Sequence, residues 1–223
     1  MRIAVLVYGR INRCSIHYNT IMDTLGQENQ IDFFLSSDNA SEKHLANFVA
    51  LYKPVIYSNE TVVPQFSYTG VAWDASDRLT NRPVECYRSD EDKIVRHHTN
   101  KYRVFCLCET YASDNNVRYD IFISLRVDTV FNDKLIYDKI EENTVYIPEG
   151  NDYHGLNDQF AYGDFLSMKI YSLLVMNAYM LIKLGFSDIH PEMLLYSHMV
   201  HSNVKVKRIQ LKYELDKSRY VDI

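Results

Sequence analysis

Three stretches of the chain bring together residue types that can do chemistry. The first is Tyr8-Gly9-Arg10-Ile11-Asn12-Arg13. It follows an apolar run, residues 2–8, that reads as a buried strand, so it lies where a strand turns into a helix. In open α/β sheets, ligands bind outside the carboxyl ends of the strands. Gly9 lets a backbone come close to a ligand. Arg10 and Arg13 carry guanidinium groups that match phosphate oxygens. The second stretch is Tyr119 to Leu125, the best central strand in the chain, ending in Arg126-Val127-Asp128. Alternation along a strand puts Arg126 and Asp128 on one side. Asp128 suits a hard cation bridging substrate phosphates. The same two residues also suit a strand-end ion pair.

The third stretch runs from Gly150 to Asp164 and concentrates acids, amides, aromatics and glycines in what reads as a loop. Its His154, Asn157, Asp158 and Gln159 form an array suited to sugar hydroxyls, with Asp158 the candidate base. Beyond it come His190-Pro191-Glu192, then His198 and His201. Glu192 falls in the first turn of a helix, where the dipole favours a carboxylate anyway. His198 is a weaker candidate for a late metal ligand. His97 and His98 are neighbours on a helix, which points them to different faces, and both are expected to be solvated. Asp74 and Asp77 in Asp74-Ala75-Ser76-Asp77 offer a second acidic pair, in a long loop.

The elements that must position these residues follow from periodicity. Helical spacing in Ile16, Ile21, Met22 and Leu25 ends at Gly26. Residues 31–35 form a second strand, and Ser41 caps a helix reaching Leu51. A short strand follows at residues 54–57. Residues 58–91 are polar, with Pro64 and Pro83, and read as a long excursion with one short strand near Tyr68–Trp73. A helix spans about 92–112. After the Tyr119–Leu125 strand come a strand at 143–148 and the polar loop from Gly150 to Gly163. One apolar helix is expected over 165–184, with Met168, Leu173, Leu174, Met176 and Met180 in the core. Pro191 opens a helix to about His201, and residues 204–211 alternate as a strand. Strands alternating with helices predict an α/β fold with a mostly parallel, mixed central sheet flanked by helices. With no repeat and no linker, residues 1–223 read as a single domain.

Composition narrows the function. The chain has 223 residues, a net charge of −5 and 47% hydrophobic residues. The absence of a clustered basic run argues against nucleic acid as a partner. No run of about 18 apolar residues predicts a membrane span. Cys14, Cys86, Cys106 and Cys108 lack metal-type spacing and read as reduced thiols.

In order and spacing, the set Gly9-x-x-x-Arg13, Ile31–Ser36, Tyr119–Asp128, Asn157–Gly163 and His190-Pro191-Glu192 resembles a GT-A-type glycosyltransferase. It is similar to the small glycosyltransferase domains of large algal DNA viruses, the chloroviruses, which decorate the major capsid protein. The resemblance covers most of the chain outside 58–91. It implies a metal-assisted hexosyltransferase acting in the host cytoplasm, transferring a hexose or deoxyhexose from a nucleotide-diphosphate sugar, usually of uridine, to a glycan or glycoprotein acceptor. It also implies a monomer, and Mn²⁺ or Mg²⁺ bridging the donor phosphates at Asp128. Tyr8, Gly9, Arg10, Arg13, Ser37, Asp38 and Arg126 would form the nucleotide site; His154, Asn157, Asp158, Gln159 and Glu192 would face sugar. Arg126 stands where the usual Asp-x-Asp motif has its first aspartate, which leaves one motif carboxylate. Transfer with retention of configuration is the expected course. The competing readings are a nucleotidyltransferase and a non-catalytic carbohydrate-binding protein. The first would need a glycine-rich, lysine-bearing loop after the first strand, which the residues after Gly9 do not supply.

Overall fold

The computed structural model describes residues 1–63, 91–137 and 139–216. The first apolar run forms β1 (Arg2–Tyr8), followed by α1 (Cys14–Leu25), β2 (Gln30–Ser36), α2 (Glu42–Tyr52) and β3 (Ile56–Ser58). Then come α3 (Glu91–Asp114), β4 (Ile121–Arg126), β5 (Thr129–Phe131), β6 (Thr144–Pro148) and β7 (Phe160–Gly163). The chain closes with α4 (Phe165–Ser172), α5 (Leu174–Lys183), α6 (Pro191–His201), β8 (Lys205–Ile209) and β9 (Tyr213–Leu215). Local chemistry sets several ends. The Ser41 side chain accepts from His44 N, Gly26 closes α1 at φ +81°, and Pro191 occupies the first turn of α6.

The central sheet has seven strands in the order β3-β2-β1-β4-β7-β6-β8. Of these, β7 runs against its neighbours and the other six run together. The fold is mixed α/β, with this mostly parallel sheet flanked by helices, as expected. Side-chain alternation splits the core in two. Ala4, Leu6, Tyr8, Phe34 and Phe122 face α3 to α6. Ile3, Val5, Val7, Ile121, Ile123 and Leu125 face the other way, where α1 and α2 pack.

Four expectations need amendment. Residues 160–163 are not loop: they are β7, buried throughout in the middle of the sheet. Four residues are too few to show a period, and the polar stretch before them masks them. The single helix over 165–184 is two, bent by 51°. At Leu173 the backbone N–H is shared between Lys169 O and Ile170 O, a tightened turn that ends α4. The bend changes which residues are inside. Met168 and Leu174 are buried, whereas Met176 and Met180 are 61% and 50% exposed. His98 is 1% exposed and His97 half-buried, so neither is a solvated surface residue. Finally, β5 and β9 form an antiparallel two-stranded ribbon that periodicity did not reveal. The strand expected near Tyr68–Trp73, with Asp74, Asp77 and Cys86, lies outside the described residues. Among the described residues, no single helix is long and apolar enough to cross a membrane.

Candidate functional site

Strand register lines up three polar positions at the carboxyl edge of the sheet. Tyr8 pairs with Ser36 on one side and with Arg126 on the other. By alternation all three face α3, where the rows below them, Leu6 and Phe34, are apolar. Helix α3 changes character in step. Its buried stripe is apolar at Val104 and Cys108 but polar nearer its start, at His97, His98, Asn100 and Lys101. Ser36 Oγ donates to Asn100 Oδ1 at 2.7 Å. A polar helix stripe over a polar sheet edge makes a site inside what would otherwise be core.

Asp158 completes it. Because β7 is antiparallel, the residues before it arrive at the edge that the parallel strands leave. Arg126 N accordingly donates to Gln159 O at 3.3 Å. The Asp158 carbonyl accepts from Tyr8 Oη (2.9 Å), Lys101 Nζ (2.5 Å) and Tyr171 Oη (3.3 Å). Three donors on one carbonyl fix the residue firmly. Its carboxylate has Lys101 Nζ at 3.4 Å and His97 Nε2 at 2.7 Å. The Lys101 ammonium also lies over the rings of Tyr8 and Tyr171, 5.1 and 5.2 Å from their centroids.

The charges tune one another. Burial pulls Lys101 down to about 8, with Asp158 opposing. Burial and then the Lys101 charge bring His97 down to about 4, and the same causes hold His98 well below the ordinary imidazole value. Asp158 is held well below the carboxylate range: burial works against its charge, but Lys101 and His97 outweigh it. Glu192 goes the other way, raised by burial despite His190, whose Nδ1 lies 2.9 Å from Glu192 Oε2. Glu192 also senses Asp158 and Lys101 electrostatically, which brings α6 to the same cluster.

The remaining expected residues fall into separate groups. Arg126 and Asp128 form the strand-end ion pair, Nε–Oδ1 3.0 Å and Nη2–Oδ2 2.7 Å. Gly9 has φ +96°, and a Cβ there would meet nothing within 4 Å, so its backbone is open to a ligand. Arg10 is exposed; Arg13 lies 3.6 Å from Asp216. Tyr8 is fully buried and works through its hydroxyl. Ser37 donates to Asn59, and Asp38 pairs with Arg96 at 2.8 Å while accepting from Val62 N. Asn157 is buried and bonds Gly150 O, Tyr213 Oη and Gln159 N, tying the loop to β9. Gln159 accepts from Tyr213 at 3.1 Å. His154 is exposed. His198 is buried, with Nε2 2.7 Å from Ile170 O, and links α6 to α4. Sequence reasoning missed His97, His98 and Lys101. The available signal was polar residues at core-facing helical positions, which mark either an error or a function.

The loop before Asp158 is pressed onto α6. Leu156 N donates to Glu192 O at 2.9 Å, and a Cβ on Gly155 would come 2.0 Å from that oxygen. Backbone cannot yield as a flexible side chain can. Gly155→Ala is therefore expected to destabilise the protein by about 1–3 kcal/mol, as overpacking does. A melting temperature equal to wild type would show that the loop moves away freely.

The fold and cluster define an α/β protein with a buried, charged site at the carboxyl edge of its sheet. Residues 103–221, more than half of the chain, match a family described as a domain of unknown function, DUF7796, and the chain belongs to that family. The matched span includes Arg126, Asp128, Asp158 and Glu192 but begins after Lys101. No curated protein matches the chain.

Proposed function

We propose that the chain is a glycosyltransferase moving a hexose or deoxyhexose from a nucleotide-diphosphate sugar, a uridine diphosphate sugar first among them, to a hydroxyl of a glycan or glycoprotein. The supporting observation is the convergence, at one sheet edge, of the open Gly9 backbone, the Arg126–Asp128 pair and the anchored Asp158. The carboxyl edge beside β1 is where open α/β sheets take nucleotides. The finer GT-A assignment and the capsid-type acceptor rest on the sequence resemblance.

Departure of the sugar leaves a diphosphate whose charge must be met. Arg126, with Arg10 and Arg13, meets it. The resemblance implies Mn²⁺ or Mg²⁺ here, ions that require oxygen ligands. Both Asp128 oxygens are engaged by Arg126, and among the described residues Asp128 belongs to no group of three ligand-type side chains. A hard cation at Asp128 would have to displace the Arg126 guanidinium, and no step is assigned to one. Asp158, held well below its usual pKa, is a weak base. That favours transfer with retention, in which the leaving phosphate oxygen takes the acceptor proton and Asp158 anchors a sugar hydroxyl.

The test is a panel of nucleotide sugars, with and without Mn²⁺, read by melting temperature and by donor hydrolysis. A donor-specific rise and turnover are expected, with product anomers of unchanged configuration by NMR. Arg126→Met is expected to weaken donor binding about 10–100-fold, the worth of about 1.5–3 kcal/mol for hydrogen bonds to a charged group. Silence across every donor would sink the reading. The closed Arg126–Asp128 pair is also what a non-catalytic carbohydrate-binding protein would show; binding of sugars without any turnover would select that alternative.

A further inference from the structure

A buried imidazole needs partners for both nitrogens. His98 is 1% exposed, and among the described residues neither of its ring nitrogens has a hydrogen-bond partner. His97 Nε2 lies beside it, 2.7 Å from Asp158 Oδ2. Leaving a buried polar atom unsatisfied costs about 1–3 kcal/mol. Two such nitrogens on one buried ring call for a bound species, water or an ion, that supplies what the described residues do not.

One ligand-type atom from each of His97, His98 and Asp158 lies within 4.8 Å of the others. Bonds of about 2 Å in tetrahedral geometry place ligand atoms about 3.3 Å apart around one zinc-like ion. Binding therefore requires the three side chains to draw together by rotamer adjustment.

We infer that His97, His98 and Asp158 form a binding site for a borderline divalent cation of the zinc class. Two imidazole nitrogens and one carboxylate oxygen suit zinc, cobalt or nickel; magnesium demands oxygen. The site is distinct from the cation that the sequence resemblance implies at Asp128. Three protein ligands leave a fourth position open to water or a substrate oxygen. Lys101 is the competing cation, 3.4 Å from the same Oδ2. It keeps the Asp158 carbonyl and Tyr171 Oη as partners when a metal takes that oxygen.

The experiment uses the metal alone, so it stands or fails separately from the nucleotide-sugar reading. EDTA-treated, dialysed protein is titrated with Zn²⁺ by calorimetry and with Co²⁺ by visible absorption. One ion per chain is expected, with the d–d bands of a low-symmetry cobalt site. His98→Phe keeps the ring volume and removes both unsatisfied nitrogens, so its melting temperature should hold. Changes one shell further out already cost about 10–100-fold in metal affinity, and loss of this ligand is expected to cost about 100-fold. His97→Gln, at the more exposed edge of the cluster, is the second variant and should weaken binding similarly. Asp128→Asn should leave Zn²⁺ affinity unchanged. The inference is overturned if wild type binds no Zn²⁺, or if both histidine variants bind as wild type does. It is equally overturned if only Asp128→Asn loses the ion.

Discussion

Lys101→Met is expected to destabilise the protein by about 3–5 kcal/mol, the cost of removing one partner of a buried ion pair. Lys101 and Asp158 side chains are 2% and 5% exposed, so water cannot replace the missing ammonium. His97 is a poor substitute at neutral pH, because burial, the largest cause of its lowered pKa, is unchanged in the variant. Arg126 is committed to Asp128. The double variant Lys101→Met/Asp158→Asn removes the charge as well as its partner and should recover most of the loss. Urea unfolding of the two single variants and the double variant measures the coupling directly. A single variant within about 1 kcal/mol of wild type, smaller than any buried-pair loss, would mean that Asp158 draws its support from elsewhere.

The second large effect is on acid stability. His97 has a folded pKa lowered to about 4 against an ordinary 6.5. Folding thus favours the neutral ring: its contribution is complete above pH 6.5 and is lost as pH falls from 6.5 towards 4. That shift corresponds to at most about 3–4 kcal/mol at 1.36 kcal/mol per unit. Asp158 acts in the same direction. Its pKa is depressed in the folded protein, so its contribution is present above the carboxylate range and declines as pH falls through that range. Metal-free protein should therefore lose stability steadily between pH 6.5 and 4, seen as a falling urea midpoint at constant slope. His97→Gln should flatten the upper part of that decline, between pH 6.5 and 5. An unchanged profile in the variant would assign the acid sensitivity to other groups.

What the residues alone revealed divides along physical lines. β1, β2 and β4 were legible because each is a long apolar run, and buried parallel strands carry that signature. Ser41, Gly26 and Pro191 were legible because caps depend on local chemistry that needs no tertiary partner. The break at Leu173 was not. No proline or glycine marks it, and α4 and α5 bend because each packs on different neighbours. Met176 and Met180 were misplaced for the same reason: one continuous helix would have carried them inwards. The site was half visible. Arg126, Asp128, Asp158 and Glu192 stood out as charged residues at element ends. His97, His98 and Lys101 sit mid-helix, where spacing alone cannot tell a solvated stripe from one folded against a polar strand edge. Only the register of Ser36, Tyr8 and Arg126 shows that the edge beneath them is polar.

The reversed direction of β7 has a consequence for how this fold can vary. A parallel strand in that position would start at the far side of the sheet and deliver Asp158 there. Running backwards, β7 lets the chain leave the edge at Pro148 and return to it at Phe160, so the intervening residues form a cassette clamped at both ends by buried strands. Its contents can be exchanged without disturbing the strand order. Several anchors restrict the exchange: the Asp158 carbonyl gripped by Tyr8, Lys101 and Tyr171, the Asn157 amide bonded to Tyr213, the Arg208–Asp152 pair, and the bare Gly155 backbone resting on Glu192. Grafted loops that keep those contacts should fold and present a new set of side chains at the carboxyl edge of the sheet.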